Sequence, residues 1–222
     1  MDRRPRIGVT GNHRRWAPAW WCAAFALRLC GAIPVRISIL HPWEGDPPDA
    51  LVIGGGNDIS PEHYGGEVGA KVKLDPARDE LEVKWVRRAL KHSIPMIGIC
   101  RGAQLINILL GGNLHRDIRQ MRHLTYNRPG LLPTKQVWLD PDSDLARIVG
   151  KTKLRVNSLH HQAVDMPGKN LRRIGWDLDD ITQAVESATS CPLIGVQWHP
   201  EYLVYLPSQL AIFRWLVTNA GE

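Results

Sequence analysis

No run in this chain of 222 residues approaches the roughly 20 consecutive apolar residues that a membrane-crossing helix requires. The most hydrophobic early segment, residues 19–30, carries Arg28 and follows Arg14-Arg15-Trp16, so it reads as an amphipathic helix. It starts late and has no cleavage site, which argues against a signal peptide. Cysteine is scarce, at four residues. Cys22 and Cys30 fall eight apart on that one predicted helix, about 12 Å by helical rise and too far to bridge, and Cys191 lies in loop-like sequence. No disulfide framework is expected, and a reducing cytoplasm is the expected compartment. The nine histidines show no Cys/His spacing of zinc type, so no metal is expected. Internal repeats, low-complexity tracts and interdomain linkers are lacking too, and a single domain over 1–222 is expected.

What is present is a hydrophobic content of 44% and a charged content of 23%, ordinary for a globular chain. The formal net charge is +6, and Arg3, Arg4, Arg6, Arg14 and Arg15 cluster ahead of Trp16, Trp20 and Trp21. Basic residues interleaved with aromatics raise nucleic acid as a partner. No nucleic-acid module is visible, however, and a solvated basic surface, or a rim that attracts an acidic substrate, is the preferred reading.

Strand and helix patterns alternate along the first half: strands at 6–10, 33–37, 50–53 and 94–99, with helices between 19 and 29 and between 76 and 91. This alternation predicts an α/β fold with a central, mostly parallel sheet and helices on both faces. Shorter strands follow at 134–139, 153–156, 171–176, 181–187 and 193–197 and are predicted to be antiparallel or mixed, with a closing helix at 207–219. Ligands of such folds bind beyond the C-terminal ends of strands, where Gly54-Gly-Gly56, Cys100 and His199 all fall.

Chemistry is concentrated in two segments. In Ile94-Pro-Met-Ile-Gly-Ile-Cys-Arg-Gly-Ala-Gln104, an apolar strand pattern meets Cys100 and a helical pattern begins at once, with Gly98 and Gly102 two residues to either side. That is the pattern of a nucleophile elbow, in which a sharp turn holds a reactive side chain strained and larger residues at the two glycines would collide. The helix that follows aims its free N–H groups at the sulfur, which favours thiolate. The second segment, Leu193-Ile-Gly-Val-Gln-Trp-His-Pro-Glu201, is another strand ending in His199-Pro200-Glu201. Positions i and i+2 of extended chain share a face, so imidazole and carboxylate are predicted side by side. Cys100, His199 and Glu201 thus supply a nucleophile, a base and the acceptor that orients the base. A buried structural cysteine and a surface loop are the plainer readings of each motif alone.

Together these residues resemble a class I glutamine amidotransferase domain and, more narrowly, the gamma-glutamyl-gamma-aminobutyrate hydrolase group of cysteine peptidases, family C26. The resemblance runs from Ile7 to the C-terminal helix, nearly the whole chain, and five segments carry it. They are Gly54-Gly-Gly-Asn-Asp-Ile-Ser-Pro-Glu-His-Tyr64, Pro76-Ala-Arg-Asp-Glu-Leu-Glu82, Gly98-Ile-Cys-Arg-Gly-Ala-Gln-Leu-Ile-Asn107 with Gly111-Gly-Asn-Leu-His-Arg-Asp117, Val156-Asn-Ser-Leu-His-His-Gln-Ala-Val164, and Gly195-Val-Gln-Trp-His-Pro-Glu201. The fold implied is the flavodoxin-like sandwich of that class, with a small mixed or antiparallel sheet beside the main one. The chain departs from the family pattern in its short Arg/Trp-rich stretch after Thr10, and at Asn57, Arg116, Lys135 and Asp179-Asp180, none of which touches the three catalytic candidates.

The Arg101 backbone N–H, directly after the nucleophile, is one natural oxyanion donor. The other comes from Gly55 or Gly56, and the resemblance favours Gly56. Gln104 lies one helical turn past Cys100 and near its face, so it can bind a glutamate moiety. Resemblance implies that Ser158, His160, His161 and Gln162 hold the alpha-amino and alpha-carboxyl ends of the substrate, with Asp58 and Tyr64 shaping the pocket. The activity implied is cleavage of a small gamma-glutamyl amine to glutamate and free amine through a thioester, with no cofactor. A glutaminase subunit that passes ammonia to a separate synthase shares the same three residues, and a non-catalytic binding protein on this fold is a third reading. The leaving amine and the oligomeric state, a homodimer included, are not legible in the sequence.

Overall fold

The computed structural model describes residues 3–56, 59, 74–126 and 128–221. Among these, strands β1 (Arg6–Thr10), β2 (Ile33–Ile37), β3 (Ala50–Ile53), β4 (Met96–Ile99) and β11 (Leu193–Val196) run parallel in the order β2-β1-β3-β4-β11. The late strands do not form a sheet of their own. β10 (Thr182–Ser187), β9 (Leu171–Asp177), β6 (Gly130–Leu139) and β7 (Lys153–Ser158) extend the same sheet in antiparallel fashion. The small antiparallel sheet is instead a separate two-stranded one, β5 (Leu114–His115) with β8 (Ala163–Val164).

Helices cover both faces. Along the central strands alternate side chains enter opposite cores, as the two-residue period of a strand requires. Val52, Ile97, Ile99, Ile194 and Val196 pack in one core with α1 (Pro18–Leu29), α4 (Asp144–Val149) and α5 (Pro207–Asn219). Leu51, Ile53, Met96 and Leu193 pack in the other with α2 (Pro76–His92) and α3 (Arg101–Leu109). With both faces covered, the three central strands β3, β4 and β11 are apolar throughout and wholly buried.

Local chemistry sets the element ends. Asp75 caps α2 by accepting from the Arg78 N–H, Pro76 takes the first helical position, and Ser93 closes the helix in the left-handed region at φ 51°. Ser143 caps α4 in the same way through Ala146, and Gly150 ends it at φ 69°. Asp180 holds φ 59°, and its neighbour Asp179 anchors the turn by accepting from the His123 and Leu124 N–H groups at 2.7 and 2.6 Å. No described helix is long and apolar enough to cross a membrane.

The two elbow glycines are required by contact distances. A Cβ on Gly98 would lie 2.7 Å from the Ala103 amide nitrogen, and one on Gly102 would lie 2.0 Å from the Ile53 carbonyl oxygen. Both obstacles are backbone, so neither can swing aside. Gly102→Ala is expected to lower unfolding stability by about 1–3 kcal/mol or more. Gly130→Ala, where a Cβ meets nothing within 4 Å, should change it by less than about 0.5 kcal/mol. Urea melts of the two variants read the difference directly, and equal midpoints would contradict this account of the elbow.

Candidate active site

The three functional segments leave the sheet side by side, because β3, β4 and β11 are neighbours in register: Ile53 pairs with Gly98, and Ile99 with Val196. The glycine run follows β3, Cys100 follows β4, and His199 follows β11 after two residues. Cys100 sits in the sharp turn with φ 52° and ψ −107°, a conformation that costs a non-glycine residue on the order of 1–3 kcal/mol. The turn is held from both sides. The Cys100 N–H donates to the Val196 carbonyl at 2.7 Å, and the Cys100 carbonyl accepts the Gln104 N–H at 3.2 Å to open α3.

His199 is fixed before its ring does anything. Asn157, at the end of β7, accepts from the His199 N–H at 2.8 Å and donates to the His199 carbonyl at 3.0 Å. Trp198 beside it is fully buried and donates to Gln209 at 2.8 Å, which pins the strand end to α5. The ring of Tyr202 stacks on the imidazole with centroids 5.5 Å apart. Glu201 does not lie in extended chain, as the i, i+2 argument assumes. Pro200 starts a single 3-10 turn over Pro200–Leu203, and that turn brings the Glu201 carboxylate to His199 Nδ1 at 2.7 Å.

The Cys100 side chain borders the same imidazole and favours its protonated form. Burial on its own pushes the His199 pKa down. The Glu201 carboxylate and the Cys100 sulfur outweigh it and hold the pKa well above the ordinary histidine value. A thiol, an imidazole and a carboxylate joined in this order can pass a proton from sulfur to ring while the carboxylate stabilises the resulting imidazolium.

Gly55 closes the third side. A Cβ there would lie 2.6 Å from His199 Cε1 and 3.5 Å from Cys100 Cβ, so only glycine lets this loop approach the pair. A cavity of about 280 Å³ opens over the group, and its lining includes Gly54, Gly55, Gly56, Cys100, His199 and Glu201. Asn12, Pro18, Trp20, Leu159 and Tyr202 line it too, so both ends of the Arg/Trp-rich stretch border the site. Arg36 supports that stretch by donating to the carbonyls of Asn12 and Arg14 at 3.0 and 2.6 Å, with its guanidinium 5.6 Å from the centre of the Trp20 ring.

Among the described residues, Gln104, Ser158, His160, His161 and Gln162 do not line this cavity. Gln104 is buried, and its amide donates to the Gln162 carbonyl at 3.1 Å and to Gln197 Oε1 at 3.2 Å, bracing the 158–162 segment against β11. The Gln162 carbonyl also accepts from His160 Nδ1 at 2.8 Å. His160 Nε2 is buried with no hydrogen-bond partner among the described residues. Burial, ahead of other causes, pushes the His160 pKa down to about 4, so the ring is neutral near pH 7 and Nε2 is an acceptor. Ser158 is buried at the end of β7. Asn57, Asp58 and Tyr64 fall outside the described residues. Among the described residues, no three His, Cys, Asp or Glu side chains gather as a metal site.

Sequence reasoning missed Asn157 and Tyr202, which hold His199, and a buried ionic group behind the glycine loop. In that group Arg78 donates to the Gly54 and Gly55 carbonyls at 3.2 and 2.8 Å and to Glu82 Oε1 at 2.8 Å, and Arg101 pairs with both Glu82 and Asp79. The visible signal was three charged residues at i, i+1 and i+4 in the first turns of α2, a face that the fold buries.

A sequence model of the Peptidase C26 family matches residues 46–201. The chain is 36% identical to the glutamine amidotransferase-like protein YvdE of Lactococcus lactis over 69% of this chain and 66% of that protein, so it spans about two thirds of that relative's length. It is 32% identical to the gamma-glutamyl-gamma-aminobutyrate hydrolase PuuD of Escherichia coli over 67% of this chain and 62% of that one. Among solved structures, a glutamine amidotransferase from Thermotoga maritima superposes with a TM-score of 0.65 at 18% identity, covering 90% of this chain and 77% of that one, a likeness of fold. With the fold of the class I glutamine amidotransferases and a family match over most of its length, the chain belongs to the Peptidase C26 family.

Proposed function

We propose that this chain, as one class I glutamine amidotransferase-like domain, is a cysteine-dependent hydrolase that cleaves a small gamma-glutamyl amine to glutamate and the free amine. The observation that carries the reading is Cys100, strained at a helix start and meeting at Gly55 an imidazole that a buried carboxylate orients at 2.7 Å. Family membership supports a hydrolase, and similarity to PuuD supports gamma-glutamyl amides as the substrate class.

In this reading His199 takes the thiol proton and the Cys100 sulfur adds to the gamma-carbonyl carbon. The C=O electron pair moves onto oxygen, and the oxyanion accepts hydrogen bonds from the backbone N–H groups of Gly56 and Arg101. As the first residue of α3, Arg101 has an N–H with no acceptor inside its own helix. The tetrahedral adduct collapses, the C–N bond breaks, and the departing nitrogen takes its proton from His199. Water, deprotonated by His199, then attacks the thioester carbon. The thiolate leaves, is reprotonated by His199, and glutamate is released. No cofactor enters these steps.

The glutamyl end is assigned to Gln104, Ser158, His160, His161 and Gln162. What supports this is the unpartnered acceptor at His160 Nε2, suited to an ammonium group, in a segment braced by Gln104. The cavity walled by Pro18, Trp20 and Leu159 is the space assigned to the leaving amine.

Cys100→Ala should abolish glutamate release across a panel of gamma-glutamyl amides assayed for free glutamate, and undiminished activity would exclude this nucleophile. Hydrolysis confined to glutamine, appearing only with a synthase present, would replace the proposal by the glutaminase-subunit reading. A second test concerns His160. Its folded pKa near 4 lies below the ordinary 6.5, so the unfolded chain binds a proton that the folded chain refuses. Stability linked to His160 is therefore complete above pH 6.5 and is lost as pH falls from 6.5 toward 4. His160→Asn should flatten that part of the acid limb in urea midpoints measured against pH, whereas parallel curves for the two proteins would contradict the assignment.

A further inference from the structure

The buried group behind the glycine loop joins both assigned oxyanion donors to a single carboxylate. Glu82 Oε1 accepts from Thr10 Oγ1 at 2.8 Å and from Arg78 Nε at 2.8 Å, and Glu82 Oε2 accepts from Arg101. Thr10 Oγ1 in turn accepts the Gly54 N–H at 3.1 Å. From Glu82, then, one path runs through Arg78 and Thr10 to the glycine loop, and the other runs through Arg101 to the residue after the nucleophile. Glu82, Arg78, Arg101 and Thr10 are all no more than 2% exposed, so solvent neither screens nor replaces these bonds.

Peptide planarity converts this grip into a direction. In a trans peptide the C=O and the following N–H point opposite ways. Arg78 Nη2 holds the carbonyls of Gly54 and Gly55 toward itself, so the N–H groups of Gly55 and Gly56 face away from Arg78. A Cβ on Gly56 would lie 2.1 Å from Arg78 Nη1, which shows how closely the guanidinium backs the loop. On the other face of the loop, Gly55 abuts His199 and Cys100.

We infer that Glu82 and Arg78 are positioning residues that set the direction of the loop amides and tie them to the Arg101 end of the oxyanion hole. The carboxylate fixes Arg78 by its Nε, Arg78 fixes two peptide planes, and the same carboxylate holds the Arg101 side chain and so the first turn of α3. The aim of two donors from different strand ends is thereby set by one charge. This rests on Cys100 accepting an acyl group, the core of the reading above, and is independent of which amide is the substrate.

The test separates a step that needs an oxyanion hole from one that does not. When p-nitrophenyl acetate acylates Cys100, sulfur adds to the carbonyl carbon, the electron pair moves onto oxygen, and collapse expels p-nitrophenolate to leave an acetyl thioester. Iodoacetamide instead alkylates the same sulfur by displacing iodide, with no oxyanion. Glu82→Gln should slow acylation about 10²-fold, the scale of one lost oxyanion donor, while alkylation stays within about twofold. Arg78→Lys keeps the charge beside Glu82 but cannot reach both carbonyls and the carboxylate, and should show the same split. Circular dichroism and melting of each variant identify loss of fold. Acylation and alkylation falling together in both variants, or acylation unchanged in a folded variant, would overturn the inference. Failure of the wild type on every gamma-glutamyl amide would remove the substrate reading and leave this ratio still decisive.

Discussion

The adjacency of β3, β4 and β11 is the constraint on which the rest of this structure depends. Three segments separated by some fifty and a hundred residues along the chain end on neighbouring strands, locked in register by a parallel ladder. The last bond of that ladder runs from the Cys100 N–H to the Val196 carbonyl, so the strained turn and the histidine strand share a hydrogen bond. Strain at Cys100 persists because its surroundings over-determine it: the ladder on one side, α3 on the other, and two glycines that admit no substitute.

Around that framework the site is stiffened mainly by buried polar groups. His199 is clamped by Asn157 at its backbone, by Tyr202 against its ring face and by Glu201 at Nδ1. The Glu82 cluster carries more charge still. Burial alone would raise the Glu82 pKa, and Arg101 and Arg78 reverse that and hold it below the ordinary glutamate range. Isolated, a charge at this depth would cost several kcal/mol, and removing one partner leaves the others exposed to that penalty. Hydrophobic residues could fill the same space at no loss of stability. What they could not do is hold carbonyl groups in a set direction.

The parallel half of the fold was legible because its strands are apolar runs bounded by helices of clear periodicity, and the spacing of the elbow glycines around Cys100 carried its steric reason in the sequence. The destination of the late strands was not legible. Whether residues 171–187 continue the main sheet or start another depends on pairings between distant strands, and their apolar pattern is compatible with both. α4, six residues long, and the two-residue strands β5 and β8 are too short to leave a period. At the candidate site, Cys100, His199 and Glu201 stood out in local motifs, whereas the partners that hold them did not. Asn157 acts across 42 residues and Thr10 across 72, and no local spacing announces a bond of that kind. The Glu201 contact was anticipated for the wrong backbone, since a 3-10 turn brings the carboxylate to the ring.

The central claim is that the sulfur at the end of β4, among four free cysteines, is the atom that takes the acyl group. Acid quenching during turnover of a gamma-glutamyl amide, followed by digestion and mass spectrometry, locates that group most directly. The account predicts a gamma-glutamyl adduct on the peptide containing Cys100 and on none containing Cys22, Cys30 or Cys191. Glutamate released with the adduct on one of those three, or with none on Cys100 under conditions that preserve thioesters, would contradict it.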